Sequence, residues 1–238
     1  MSVANILKNQ SHRPWKIPSG SWKYYQEWNN AVFLHYQVEL KNLQAFVPDE
    51  LEIELFNSKP WVSIVAFTME KIRPKILPSF NPISNFDEIN IRTYVKANNK
   101  SGVYFLSIEA GKVISCKIAQ LLSKLPYRHS CIERKNGHFN SFNKKYNDKL
   151  NLDYTIKQEK QNRNDLDLWL TERYALFHNY KNTINEFNIH HLMWPLKEIQ
   201  INNININYER FHSLVHSSPE LSHYSKGVKV LAWGKEKL

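Results

Sequence analysis

Between residues 84 and 95 the chain reads Ser-Asn-Phe-Asp-Glu-Ile-Asn-Ile-Arg-Thr-Tyr-Val, and strand alternation would split this run into two faces of different chemistry. Glu88, Asn90, Arg92 and Tyr94 share one face, while Ile89, Ile91, Thr93 and Val95 share the other. An anion, an amide, a guanidinium and a phenol in one row could lie against water or line a barrel or cleft. Tyr94, and Phe105 from the following strand, favour the interior, since solvent faces usually carry Lys, Glu and Thr. Pairing Val95 near Tyr104 in the following strand would add Phe105, Ser107 and Glu109 to the polar row. A buried Arg92 would need a carboxylate such as Glu88 or Glu109, and its planar fork could be offered to a ligand carboxylate or phosphate.

Other chemistry-bearing residues give weaker signals. His35 stands between apolar neighbours, where a histidine is commonly a hydrogen-bonded structural residue and less often a base. Consecutive His190 and His191 would point to opposite strand faces, so they could not chelate one ion without a bulge. His178, His212, His216 and His223 show no converging ligand spacing, and no metal site is expected. Residues 170–174, Leu-Thr-Glu-Arg-Tyr, read either as a helix end with its cation near the negative dipole or as a route for Arg173 or Tyr174 into a pocket. No GxSxG, phosphate-binding glycine loop, HExxH or paired CxxC occurs, and with six glycines the nucleotide fingerprints are excluded. No cofactor is expected.

The elements that must hold these residues are many short strands and few helices. Ser21 could cap a short helix running to residue 30, with Trp22, Tyr25 and Trp28 along one flank. Residues 31–40 alternate as a strand, 41–47 form a helical turn or two ended by Pro48, and 52–56 and 60–70 read as strands. Residues 88–97 and 102–110 make the clearest hairpin, turning at 98–101. Residues 115–124 have helical spacing in Ile118, Leu121, Leu122 and Leu125, with Pro126 beyond. A second helix is expected over 165–174, capped by Asp165 and striped by Leu166, Trp169 and Leu170. A further hairpin over 175–193 and strands near 197–206 and 228–233 follow. Without internal repeats, Gly/Ser linkers or regular strand–helix alternation, the expectation is one α+β domain over 1–238, mainly antiparallel β and barrel-like.

The 238 residues suffice for a substantial core, and 42% hydrophobic with 13% aromatic content excludes a disordered chain. The net charge of +10 invites a nucleic-acid reading. Against it, the cations are mostly lysine, are spread along the chain, and are densest only around 71–75 and 144–149. Lysine, asparagine and isoleucine also share A/T-rich codons, so a solvated basic surface is expected and nucleic acid is not. The first 16 residues lack an apolar signal core, the apolar stretch around 61–67 is too short for a membrane span, and Cys116 and Cys131 make no disulfide framework; a cytoplasmic location is expected.

Several strings together are similar to a known family. Arg13-Pro14-Trp15, Gly20-Ser21-Trp22, Phe33-Leu34-His35-Tyr36, Trp61-Val62-Ser63, the 84–95 run, Gly102-Val103-Tyr104-Phe105, Leu125-Pro126-Tyr127, Thr171-Glu172-Arg173-Tyr174 and His191 with Trp194-Pro195-Leu196 resemble the uncharacterised YqjF-like family, domain of unknown function 2071. The resemblance runs from about residue 13 to about 205, leaving a C-terminal extension over about 207–238. It implies the architecture of acetoacetate decarboxylase, a β-barrel or cone with a buried pocket and a few short helices, with the Glu88 face turned inward and Glu88 matching that enzyme's pocket glutamate. It implies no activity. The decarboxylase forms a Schiff base with a lysine placed just after a proline, whereas the matching stretch here, residues 123–128, carries Tyr127 and Arg128 at the two lysine positions. Neither forms an imine, and Lys124 lies two residues before the proline, so Schiff-base chemistry is not expected.

The expected function is therefore a buried small-molecule pocket for an anionic, carboxylate-bearing ligand, lined by Glu88, Asn90, Arg92 and Tyr94 with His35, Tyr127 and Arg173 contributing. The alternatives are a lyase or hydrolase acting on a small organic acid without a Schiff-base lysine, and a basic protein that binds nucleic acid. No membrane partner is expected, and association into a homo-oligomer is left open.

Overall fold

The computed structural model describes residues 2–238, the Leu122 side chain aside. A short helix α1 (Val3–Lys8) precedes the long strand β1 (Tyr24–Gln37), which leads through α2 (Leu40–Gln44) and β2 (Glu52–Ile53) to β3 (Trp61–Pro74). Next come α3 (Asn81–Ser84), the hairpin β4 (Phe86–Ala97) and β5 (Lys100–Ala110), and α4 (Val113–Ser123). Four strands, β6 (Tyr127–His129), β7 (Cys131–Lys135), β8 (His138–Asn143) and β9 (Asp148–Glu159), lead to α5 (Asp165–Thr171). The chain finishes with β10 (Ala175–Asn179), β11 (Ile184–His190), β12 (Leu196–Asn207) and β13 (Leu221–Lys237).

One sheet runs β1-β3-β4-β5-β10-β11-β13-β12-β9-β8-β7, and a second pairing of β1 with β13 closes its first seven strands into a barrel. Most pairings are antiparallel; β5 with β6 and with β10 are the parallel ones. The expected mainly antiparallel α+β barrel with short helices is what the chain forms. Strands β12, β9, β8 and β7 continue past the seam and cover the outside of the barrel. The β1 segment Ala31–Tyr36 is consequently buried on both faces. Val32, Leu34 and Tyr36 pack outward against Phe139, Leu150 and Leu152, while Ala31 and Phe33 pack inside with Val65, Phe67 and Trp194. Residues 221–237, beyond the stretch that carried the resemblance, supply the strand that seals the barrel.

Three sequence expectations change. Residues 24–30 belong to β1 and are not helical; register shifts between Tyr25 and Glu27 and between Asn29 and Val32 break the period of two, so Trp22, Tyr25 and Trp28 fall at a helix-like spacing of three. The cap of α5 is Asn164, not Asp165: Asn164 accepts from the Asp167 backbone N–H at 2.8 Å, and Asp167 accepts from the Asn164 N–H at 2.9 Å. In the β4–β5 hairpin Thr93, not Val95, lies opposite Tyr104, and a bulge at Ile91/Arg92 reverses the faces beyond it. Phe105 stays opposite Arg92, but Ser107 and Glu109 sit opposite Ile91 and Ile89, so they leave the polar row. Glu109 instead accepts from the Ser130 hydroxyl.

Asparagine does the turning that glycine does elsewhere. Of the ten non-glycine residues with positive φ among the described residues, six are Asn, including the Asn98–Asn99 pair that turns the β4–β5 hairpin. Gly227 is different: at φ +134° a Cβ would stand 2.4 Å from the Trp28 carbonyl oxygen across the seam. Gly227→Ala is expected to lower stability by about 2 kcal/mol, read by denaturant titration; a change under half that would mean the seam yields locally.

Candidate functional site

The inner face of β4 carries Phe86, Glu88, Asn90, Arg92 and Tyr94 in one row, the first four of them opposite Met69, Phe67, Val65 and Ser63 of β3. The four polar residues are at most 8% exposed. Phe67, Phe86, Trp194 and Ala110 fill the Glu88 end, while Leu125, Leu170 and Trp61 fill the Tyr94 end.

Glu88 accepts from the Tyr127 hydroxyl at 3.0 Å and from the Asn90 amide at 3.5 Å. Burial pushes its carboxyl up to about 7, against the downward pull of those two hydrogen bonds. Burial and the neighbouring Glu88 hold Tyr127 well above the ordinary phenol range. Arg92 lies 5.7 Å from the centre of the Phe33 ring, and burial pulls its pKa down. It donates through Nη2 to the Leu170 carbonyl at 3.3 Å, and its Nε has no hydrogen-bond partner. The carboxylate that a buried Arg92 was expected to require is missing: among the described residues neither Glu88, Glu109 nor any other acid pairs with it, since Glu88 is four residues along the same strand and Glu109 faces the other way. Asn90 Oδ1 is likewise buried without a partner.

Tyr94 donates to the same Leu170 carbonyl at 2.9 Å and stands 2.6 Å from Ser63 Oγ. Helix α5 thus caps this end of the barrel with its C-terminal carbonyl on Arg92 and Tyr94. The Trp169 ring packs at a tilt, 4.5 Å from the Tyr94 ring, and the Trp169 indole donates to Glu54 at 3.3 Å. Arg173 packs behind, 4.9 Å from the Tyr94 ring, but Glu54 already neutralises its guanidinium. Arg173 therefore braces the wall, and of these two cations Arg92 is the one without a counter-charge.

His35 is fully buried, with Nδ1 2.6 Å from Ser63 Oγ and Nε2 3.1 Å from His223 Nδ1. His223 Nε2 donates to Asp167 at 2.8 Å. Sequence reading missed Ser63, His223 and Asp167. The available signals were slight: a hydroxyl in the otherwise apolar run 61–67, and an acid three residues after an N-cap asparagine.

Lys124, Tyr127 and Arg128 are also resolved. Lys124 is the left-handed end of α4 at φ 61°, and its carbonyl accepts from His178. Tyr127 reaches the inner face, whereas Arg128 lies against Tyr146 and, at 4.0 Å, Asp148. No lysine among the described residues is buried, so none stands within the barrel to form an imine. His190 and His191 spend ring nitrogens on the Ile6 and Leu192 carbonyls. Two open clefts, of about 350 and 400 Å3, lie near Lys160 and Glu198, away from the Glu88 row. No helix among the described residues is long and apolar enough to cross a membrane.

Comparison with known proteins matches this architecture. The DUF2071 family, an uncharacterized conserved protein, matches residues 25–229. The uncharacterized protein YqjF of Bacillus subtilis is 32% identical over 233 residues, covering 91% of this chain and 93% of its own. Among solved structures, acetoacetate decarboxylase of Legionella pneumophila superposes with a TM-score of 0.59 at 11% identity, over 96% of this chain and 94% of that one. The enduracididine biosynthesis enzyme MppR, in complex with pyruvate, superposes at 0.58 and 9% identity, over 94% and 93%. The shared fold is thus the acetoacetate-decarboxylase-like barrel.

Proposed function

We propose that the chain, which belongs to the DUF2071 family, binds a small carboxylate-bearing molecule inside its barrel, with Arg92 as the anion-binding group. The observation that carries this reading is Arg92 itself: a buried guanidinium with no carboxylate and an unpartnered Nε. An unpaired buried cation is costly, and proteins ordinarily keep one only beside a partner. A ligand carboxylate would take the donors of Arg92 and Tyr94 that now meet on Leu170, and α5 would shift to admit it. Asn90 Oδ1 adds an acceptor, and Glu88 adds a carboxyl that holds its proton near neutrality. That last feature favours acid–base chemistry on the bound acid, of lyase or hydrolase type and without an imine, as the second reading. The fold neighbour bound to pyruvate supports the ligand class.

Pyruvate is the first probe. Titration followed by the guanidinium N–H resonances is expected to show saturable binding with a shift at Arg92 Nε. If neither pyruvate nor a panel of small mono- and dicarboxylates saturates, the reading fails.

A further inference from the structure

Five buried side chains form an unbroken hydrogen-bonded line from the Arg92 site toward a cleft in the molecular surface. It runs Tyr94 Oη, Ser63 Oγ, His35, His223, Asp167, with steps of 2.6, 2.6, 3.1 and 2.8 Å. Every member is at most 1% exposed. At its outer end Asp167 meets the Lys160 ammonium at 3.3 Å, and both Lys160 and His223 line the cleft of about 350 Å3 that opens to solvent. Ser63 is paired with Arg92 across β3 and β4, so the inner end lies beside the proposed ligand site.

Chemistry fixes the direction of the line. The Asp167 carboxylate only accepts, so His223 carries its proton on Nε2 and leaves Nδ1 bare. His35 must then donate from Nε2, which leaves its Nδ1 to accept from the Ser63 hydroxyl. Ser63 in turn accepts from Tyr94 when Tyr94 turns its single proton away from the Leu170 carbonyl, which still has Arg92 as a donor. Burial, His223 and Arg92 all disfavour charge on His35, so it remains neutral in this role.

We infer that this line is a proton relay, with the Tyr94 hydroxyl as the acid–base group facing the ligand and the Lys160 cleft as its port to water. The inference rests on the ligand site proposed above. In one passage Tyr94 gives its proton to Ser63, Ser63 to His35 Nδ1, His35 Nε2 to His223 Nδ1, and His223 Nε2 to Asp167. The Tyr94 oxygen then takes a proton from the ligand, and the Asp167 proton leaves by way of Lys160, whose ammonium gives one proton to water in the cleft and takes the one on Asp167. Each residue gains and loses one proton, so one proton moves from ligand to solvent and both imidazoles are left protonated on Nδ1; a return passage, from Asp167 to Tyr94 and on to the ligand, restores the starting tautomers. Ser63, His35, His223 and Asp167 act through Tyr94 as positioning and transfer groups. The substrate class is a small acid that exchanges a proton close to its carboxylate.

The test needs no ligand, so it stands apart from the fate of the Arg92 reading. Nitrogen-15 histidine spectra of the wild type are expected to show His35 and His223 both protonated on Nε2. Asp167→Asn should reverse both. The Asp167 oxygen that receives the Asn164 N–H and Lys160 must remain an acceptor, so the new amide NH2 turns toward His223 and donates. The reversed line still satisfies every group, so the fold is retained. Solvent exchange of the His35 Nε2 proton should be at least about tenfold faster than that of the Phe33 and Leu34 amides, which report strand opening. In Asp167→Asn, the His35 ring proton should exchange about tenfold more slowly than in the wild type. A wild-type His35 protonated on Nδ1, an unchanged His35 tautomer in Asp167→Asn, or a ring proton no faster than those amides would reduce the line to a structural latch and overturn the inference.

Discussion

Arg92→Met is expected to make the protein more stable and a much weaker binder of carboxylates. The two effects share one cause. Methionine is unbranched and apolar, so it can follow the arginine stem between Phe33 and the Leu170 end of the core without a buried charge. The Leu170 carbonyl keeps its 2.9 Å hydrogen bond from Tyr94, so removing Arg92 orphans no acceptor. Replacing buried ionic groups by apolar ones of similar size is commonly neutral or stabilising, and here no carboxylate is left behind; a gain of about 2 kcal/mol is expected, or several degrees in Tm. In the same variant pyruvate should bind about 10- to 100-fold more weakly, the loss of charge-assisted hydrogen bonds worth about 1.5–3 kcal/mol. Calorimetry and titration on one preparation read both. A variant that is much less stable would show that Arg92 serves the fold, and one that binds pyruvate as tightly as the wild type would remove Arg92 from the site.

The Glu88 carboxyl should imprint a pH dependence on stability opposite to that of a surface acid. Its ordinary value of 4.5 is raised to about 7 in the folded chain by burial. Between those limits the unfolded chain has lost the proton and the folded chain still holds it. Stability contributed by this group is therefore complete below about pH 4.5, falls as pH rises toward 7, and stays lost above it. The shift corresponds to about 3 kcal/mol. Glu88→Gln keeps the shape and has nothing to ionise; the Asn90 amide can turn its unpartnered Oδ1 toward the new NH2. The difference in unfolding free energy between variant and wild type should hence be small at pH 4.5 and grow by about 3 kcal/mol by pH 8. Other buried acids, Glu109 and Glu172 among them, are raised by burial too, so the difference between the two proteins is the informative quantity. A flat difference across that range would mean that Glu88 is ionised throughout.

Local pattern made part of this molecule readable from its residues. The β4 row was legible because alternation is strict over eight residues and an Asn-Asn turn follows. Its inward orientation was legible from Tyr94, a ring too large and apolar for a solvent face. The α5 stripe and the α4 helix were equally local. Illegible features were those set by bulges or by distant strands. The bulge at Ile91/Arg92 moved Ser107 and Glu109 out of the row, and those before Val32 disguised a strand as a helix. Ser63 and His223 join His35 from 28 and 188 residues away, which no spacing rule connects. Arginine chemistry predicted a carboxylate partner for Arg92. What the fold supplies is a helix-end carbonyl, and that difference became the main functional clue.

The seam between β1 and β13 also governs how the protein comes to be folded. Tyr24 pairs with Ala232, so sealing the barrel closes a loop on the order of 200 residues, an entropic cost of about 5 kcal/mol before any side chain packs. Folding dominated by such distant pairings falls in the millisecond-to-second range. During synthesis, β1 and β11 wait as open edges until residues 221–237 emerge, with Ala31–Tyr36 apolar on both faces. The nascent chain is therefore most exposed to aggregation just before its last strand arrives, and that strand acts as the clasp that ends the hazard.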